Sequence, residues 1–359
     1  MQDEIKPGFW SRVHKRRTII LSIIGVLFIA VATTAAFMFF YQKPIEQVAV
    51  AEITKPEPEP EPIKYYSPLT GSLVADEAAT TQAVTGVMIE NSPAARPQSG
   101  LKNSGIIFEA IAEGGITRFM VMYQSEKPGL IGPVRSLRLY DVDWLAAFNA
   151  SIAHIGGSAA SLAEVRNGSY RDLDQFFNAP SYYRSTDRFS PHNVYTTFTL
   201  LDALNVKKGY TSSSFTGFTR VDGTPAEIPD ATTVNITISS PLYNSVYTYD
   251  KTTNSYARSQ GGAPHIDRED GQISPNVIVA MRVNQTTVFE DGNREKIVTI
   301  GSGPATIFQN GLATAVTWSK TSKAAQITFA DAAGVDVPLV RGQTWIAAVK
   351  NNGGNVTWQ

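Results

Sequence analysis

Three short segments place an arginine or a histidine beside the expected start of a helix. Gly132-Pro133-Val134-Arg135-Ser136 precedes a helix over Ser136–Phe148, and His154-Ile155-Gly156-Gly157-Ser158 precedes one over Ser158–Arg166. Asp187-Arg188-Phe189-Ser190-Pro191-His192-Asn193 precedes a third over Thr196–Val206. Helix N-termini present unpaired N–H groups and the positive end of the helix dipole, so they favour anions. The guanidinium forks of Arg135, Arg138 and Arg188 suit phosphate or carboxylate. Together with Arg118, His154, Gly156, Gly157, Ser158, His192 and Asn193, they define a candidate site for an anionic ligand, such as a phosphate- or carboxylate-bearing glycan. A plainer reading stands beside it: Gly-Gly-Ser as a tight turn with a serine cap, and Arg135 paired with Asp141 or Asp143.

Glu109 and Glu113, close to Arg118, form a second group. Paired carboxylates can serve as acid and base in glycosidic chemistry, which makes Glu113 or His154 the candidate catalytic group of a hydrolase. The alternative is a structural carboxylate–Arg118 pair, leaving a scaffold with no chemistry of its own. His154, His192 and His265 lack any metal-ligand spacing, so neither a metal nor a cofactor is expected. No phosphate-loop, dinucleotide or nucleophile-elbow motif occurs. The chain has no cysteine, which removes disulfides, thiolate chemistry and a lipid-modified cysteine.

These residues need elements to hold them. Val84–Glu90, Gly105–Ile111 and Ile116–Tyr123 read as strands rich in β-branched and aromatic residues. Between the helices, Ser151–Ile155 reads as a short strand. The alternation over residues 65–210 indicates an α/β or α+β domain. After a connecting segment over 211–235, residues 236–359 carry strand-like runs about ten residues apart, among them Val277–Val283 and Thr344–Lys350. Turn signals such as Asp291-Gly292 separate many of them, which suggests a mostly-β domain of small barrel or sandwich type.

Thr18–Tyr41 contains no charged side chain; at ~1.5 Å per residue it spans the ~30 Å hydrocarbon core of a bilayer. The basic tail, residues 1–17, precedes it, with Arg12, Lys15, Arg16 and Arg17 nearest the apolar run, so a retained helix has its N-terminus in the cytoplasm. A cleaved signal peptide is the competing reading, because Ala32–Ala36 offers small residues. Residues 42–64 include Lys-Pro-Glu-Pro-Glu-Pro-Glu-Pro, a stiff spacer. Beyond the tail the chain is net acidic with no basic stripe, which sets nucleic acid aside. The bilayer is the one partner the sequence names; protein partners are not indicated.

The motifs resemble one family. Ser67-Pro68-Leu69-Thr70-Gly71, Val87-Met88-Ile89-Glu90-Asn91 and Ala95–Leu101 resemble the opening of the YerB-like bacterial envelope lipoproteins. Glu109–Phe119, Ile131–Arg138, His154–Ser158 and Pro191-His192-Asn193 continue in the same order. Asn276–Val279, Thr317–Lys320 and Gly342–Ile346 resemble that family's C-terminal domain. The resemblance implies a two-domain extracytoplasmic protein with no established activity. This chain departs from it by carrying an apolar helix where the family has a lipid-modified cysteine.

Overall fold

The structure, a computed structural model, describes residues 9–41, 62–289 and 293–359. It divides at Glu61 into an N-terminal unit and a folded body, Pro62–Gln359. Most of the expected spacer and the Asp291-Gly292 turn lie outside the described residues. Among its described residues the N-terminal unit is one helix, Phe9–Tyr41, and its stretch Arg16–Tyr41 is long and apolar enough to cross a membrane. It begins earlier than the uncharged run because nothing in the basic segment breaks a helix.

The body is built on one mixed sheet. Its strands run in the order Thr328–Ala330, Leu312–Lys320, Gly301–Gln309, Val277–Val283, Thr344–Lys350, Ile106–Glu113, Ile116–Tyr123, Thr85–Glu90, Ser151–Ala153 and Arg171–Asp172. The sequence leads one to expect two separate domains, yet the halves share this sheet. Thr344–Lys350 lies parallel to Ile106–Glu113, with Thr344 opposite Ile106 and Ala347 opposite Glu109. Both strands are almost wholly buried. A strand covered on both faces reads as a continuous apolar run, and such a run does not reveal its neighbour.

Side chains alternate between two cores. Ile106, Phe108, Met120 and Met122 enter one, with Trp144 stacked on Phe108 at 5.1 Å between ring centroids. Ile107, Phe119, Ile278 and Trp345 enter the other. Burying each of these large side chains contributes roughly 1.5–3 kcal/mol. A five-stranded antiparallel sheet covers the second core, ordered Ala263–Pro264, Ser255–Gln260, Ser245–Asp250, Thr233–Thr237 and Asn355–Trp358. The C-terminal half is therefore a sandwich layer over a shared sheet rather than a small closed barrel. Ser255–Gln260 and Asn355–Trp358 escape sequence reading because they are polar or short.

Three helices carry the expected motifs: Leu139–Leu145, Ala159–Asn167 and Phe198–Lys207. Asp141 accepts from the Arg138 N–H at the first, Ser158 from the Ser161 N–H at the second, and Thr197 from the Leu200 N–H at the third. The helix starts are thus capped by the chain's own side chains. Two expectations change here. Arg135 does not reach Asp141 or Asp143, and the Asp187–Asn193 segment lies on the hairpin of Tyr183–Arg184 with Val194–Tyr195 rather than at a helix start.

Candidate functional site

Strands Thr85–Glu90, Ser151–Ala153 and Arg171–Asp172 are mutually parallel, so their carboxyl ends share one edge of the sheet. That edge is where open α/β sheets bind ligands. Residues 131–137 strap across it: Arg135 N–H donates to Met88 O, Ile155 N–H to Arg135 O, and Leu137 N–H to Gly156 O. Segments far apart in sequence meet there for backbone reasons alone.

Glu113 forms the first cluster. A bulge in its strand between Ile111 and Glu113 breaks the two-residue alternation that would place Glu109 and Glu113 on one face. Glu113 accepts from Arg118 at 2.9 Å and pairs closely with Arg138. The side chains of both arginines are at least nine-tenths buried, and Arg118 also donates to Ser136 O. Burial alone would raise the Glu113 carboxyl, but Arg118 and Arg138 outweigh it and pull its pKa to about 2. Glu113 therefore has no proton to give near neutral pH and is a poor base, which removes the motive for making it a hydrolase acid/base.

Asp141 behaves oppositely. Burial raises its carboxyl, Arg118 and Arg138 oppose this, Asp143 adds to it, and the pKa reaches about 7. The unfolded chain ionises this group near 3.8, so its effect on folding grows unfavourable as pH rises from about 4 to 7. Asp141→Asn should flatten that part of the stability profile in urea unfolding at successive pH values. An unchanged slope would refute the assignment.

The second cluster centres on Glu90, a buried carboxylate the sequence reading passed over; its signal was a lone acid ending the run Val-Met-Ile-Glu. Glu90 holds the Arg135 Nε at 3.3 Å and the His192 Nδ1 at 2.9 Å. The Arg135 contact is ionic rather than a directed hydrogen bond. Ser92 Oγ donates to Glu90 at 3.0 Å and lies 3.3 Å from the same His192 Nδ1. A serine and an acid on one ring nitrogen cannot form a nucleophile relay, which needs them on opposite nitrogens. Arg135 and His192 remain about a quarter exposed.

The other candidates are held by partners within the fold and stand apart from the Glu90 donor set. His154 is fully buried, with Nδ1 2.8 Å from Gly156 O and Nε2 3.0 Å from Asp172, so it cannot meet a substrate. Gly156 needs its positive φ of 59°, and a Cβ on Gly157 would meet Ser161 Oγ at 2.6 Å. Arg188 donates to the carbonyls of Ala94 and Pro97. Asn193 accepts from Arg184 and donates to Ser185 O, which holds the hairpin. Glu109 lies on the opposite face from Glu113 and pairs with Arg258 rather than Arg118.

Fold and motifs together define a two-part body built on one shared sheet. Residues 69–211 match the family "Protein of unknown function (DUF3048) N-terminal domain", and residues 234–346 match its C-terminal domain. The chain is 31% identical over 291 residues to "Putative lipoprotein YerB" of Bacillus subtilis (strain 168), covering 80% of this chain and 86% of that one. The crystal structure of YerB protein from Bacillus subtilis superposes with a TM-score of 0.72 at 28% identity, covering 82% of this chain and all of that one. The chain belongs to the YerB-like family. Its relative is named as a lipoprotein, while this chain has no cysteine and carries the apolar helix Phe9–Tyr41.

Proposed function

We propose that this is a membrane-anchored envelope protein, with its N-terminus cytoplasmic and its body extracytoplasmic, that binds an anionic glycan without cleaving it. The observation supporting this reading is the donor set on Glu90. One buried carboxylate holds Arg135 by Nε and His192 by Nδ1. The two terminal amino groups of Arg135 and the His192 Nε2 have no hydrogen-bond partner among the described residues. Donors held in place but unspent suit phosphate or carboxylate oxygens, and holding them costs the ligand little ordering entropy. The hydrolase alternative loses its support because Glu113 is held ionised by two arginines and His154 is sealed from solvent.

The test uses the full chain in detergent, with thermal unfolding and calorimetric titration against phosphodiester-bearing, carboxylate-bearing and neutral glycans. The expected result is a rise in Tm with one anionic class, no consumption of it, and no response to the neutral one. Arg135→Ala should weaken binding at least tenfold, or ~1.4 kcal/mol. Equal binding by wild type and Arg135→Ala, or no binding by either, would reject the site and favour a scaffold role.

A further inference from the structure

His154, Asp172 and Asp174 play no part in the Glu90 donor set, and their arrangement is unusual for a purely structural trio. One ligand atom from each lies within 4.8 Å of the others. His154 and Asp174 are fully buried, while the Asp172 side chain keeps about a fifth of its surface exposed. The trio closes the same sheet edge: His154 follows the end of Ser151–Ala153, and Asp172 ends the neighbouring parallel strand.

The hydrogen-bond directions narrow what this trio can hold. Gly156 O is an acceptor, so the His154 Nδ1 that lies 2.8 Å away carries a hydrogen. The remaining nitrogen, Nε2, faces the Asp172 Oδ1 at 3.0 Å. That oxygen already accepts the Asp174 N–H at 2.8 Å, as an ionised carboxylate does. An imidazole lone pair and a carboxylate oxygen repel unless a positive centre lies between them. That centre is either a second ring proton or a metal cation.

We propose that it is a divalent metal of the zinc type, bound by His154 Nε2 and Asp172, with Asp174, whose Oδ1 lies 3.9 Å from His154 Nδ1, drawn in as the third ligand. A ligating histidine ordinarily donates its other ring nitrogen to a backbone carbonyl, and Gly156 O fills that place. Mixed imidazole and carboxylate ligands favour zinc-like ions over calcium or magnesium. Two carboxylates neutralise the dication, and the exposed part of the Asp172 side chain gives a route of entry. Arg166, 3.2 Å from the Asp174 Oδ2, and the Gly156 and Phe176 N–H groups on its Oδ1 orient that carboxylate as an outer shell. On binding, the ligand atoms draw in to bonds of ~2.0–2.2 Å. Sequence spacing gives no sign of this site because its ligands come from the ends of two neighbouring strands, and none of them pairs two histidines. The proposal is independent of the glycan reading, since no residue is shared with the Glu90 donor set.

The full chain, purified in detergent and stripped with a chelator, is dialysed against zinc chloride and then against metal-free buffer, and its metal content is measured. About one zinc per chain should remain, with a higher Tm than the stripped form, and cobalt in its place should give visible d–d absorption. Asp172→Asn, at the part-exposed ligand, should keep the cooperative melt of the stripped wild type but bind zinc at least tenfold more weakly. His154→Gln should retain none. If the wild type keeps no zinc and its Tm is indifferent to it, the second ring proton fills the gap and the proposal fails. Equal zinc retention by Asp172→Asn would overturn it as well.

Discussion

Arg258→Met should lower the stability of the folded body by about 3–5 kcal/mol, the cost of stranding one partner of a buried ion pair. Arg258 and Glu109 are both essentially inaccessible and meet at 2.9 Å in the core between the two sheets. Arg258 also donates to the Tyr247 hydroxyl at 3.1 Å and lies 4.3 Å above the Trp345 ring centroid. Its remaining amino group meets the Nδ1 of His265, whose pKa burial and the adjacent Arg258 push well down; a neutral ring can accept there and donate from Nε2 to Gln98. Removing the guanidinium leaves the Glu109 carboxylate with only the Trp345 N–H, Thr117 hydroxyl and Gln260 amide. Glu109→Gln combined with Arg258→Met should recover much of the loss, because a neutral amide still accepts from Trp345 and no unpaired charge stays buried. Urea unfolding followed by tryptophan fluorescence measures both variants. A single variant within 1 kcal/mol of wild type, or a double variant no more stable than the single, would contradict this account.

Glu113→Gln should be nearly as costly, at up to about 3.5 kcal/mol near neutral pH. That figure follows from a carboxyl moved from 4.5 to about 2 at ~1.4 kcal/mol per unit. Slightly under a third of its side chain is exposed, so the figure is an upper bound. The folded-state pKa is depressed, so the stabilisation is fully present above pH 4.5 and drains away as pH falls toward 2. The wild type should therefore lose stability through that acid window, and the variant should lose distinctly less. The loss at neutral pH arises because Arg118 and Arg138 are left facing each other while nine-tenths buried. Parallel acid slopes in wild type and variant would disprove the assignment.

Local elements were legible where the sequence carried a local code. Val277–Val283 and Thr344–Lys350 have their sequence-read bounds because β-branched runs between turn residues need no distant partner to be recognised. Ser158 capping its helix is likewise written in four consecutive residues. The Arg118–Glu113 pair is one of the two readings the sequence offers; that Glu109 leaves it for Arg258 is decided by a bulge and by a strand about 150 positions away.

By itself the sequence determined the apolar N-terminal helix, the longer apolar strands and the three helices, the Ser158 cap and the family, all of which depend on composition, short-range periodicity or contiguous motifs. Only the tertiary structure decided that both halves share one sheet, that Glu90 collects Arg135 and His192, and that His154 meets Asp172 and Asp174. Strand order and face are settled by burial on both sides and by register, and a one-residue bulge reverses a side chain's face. Those are properties of pairs of segments, so no single segment could have announced them.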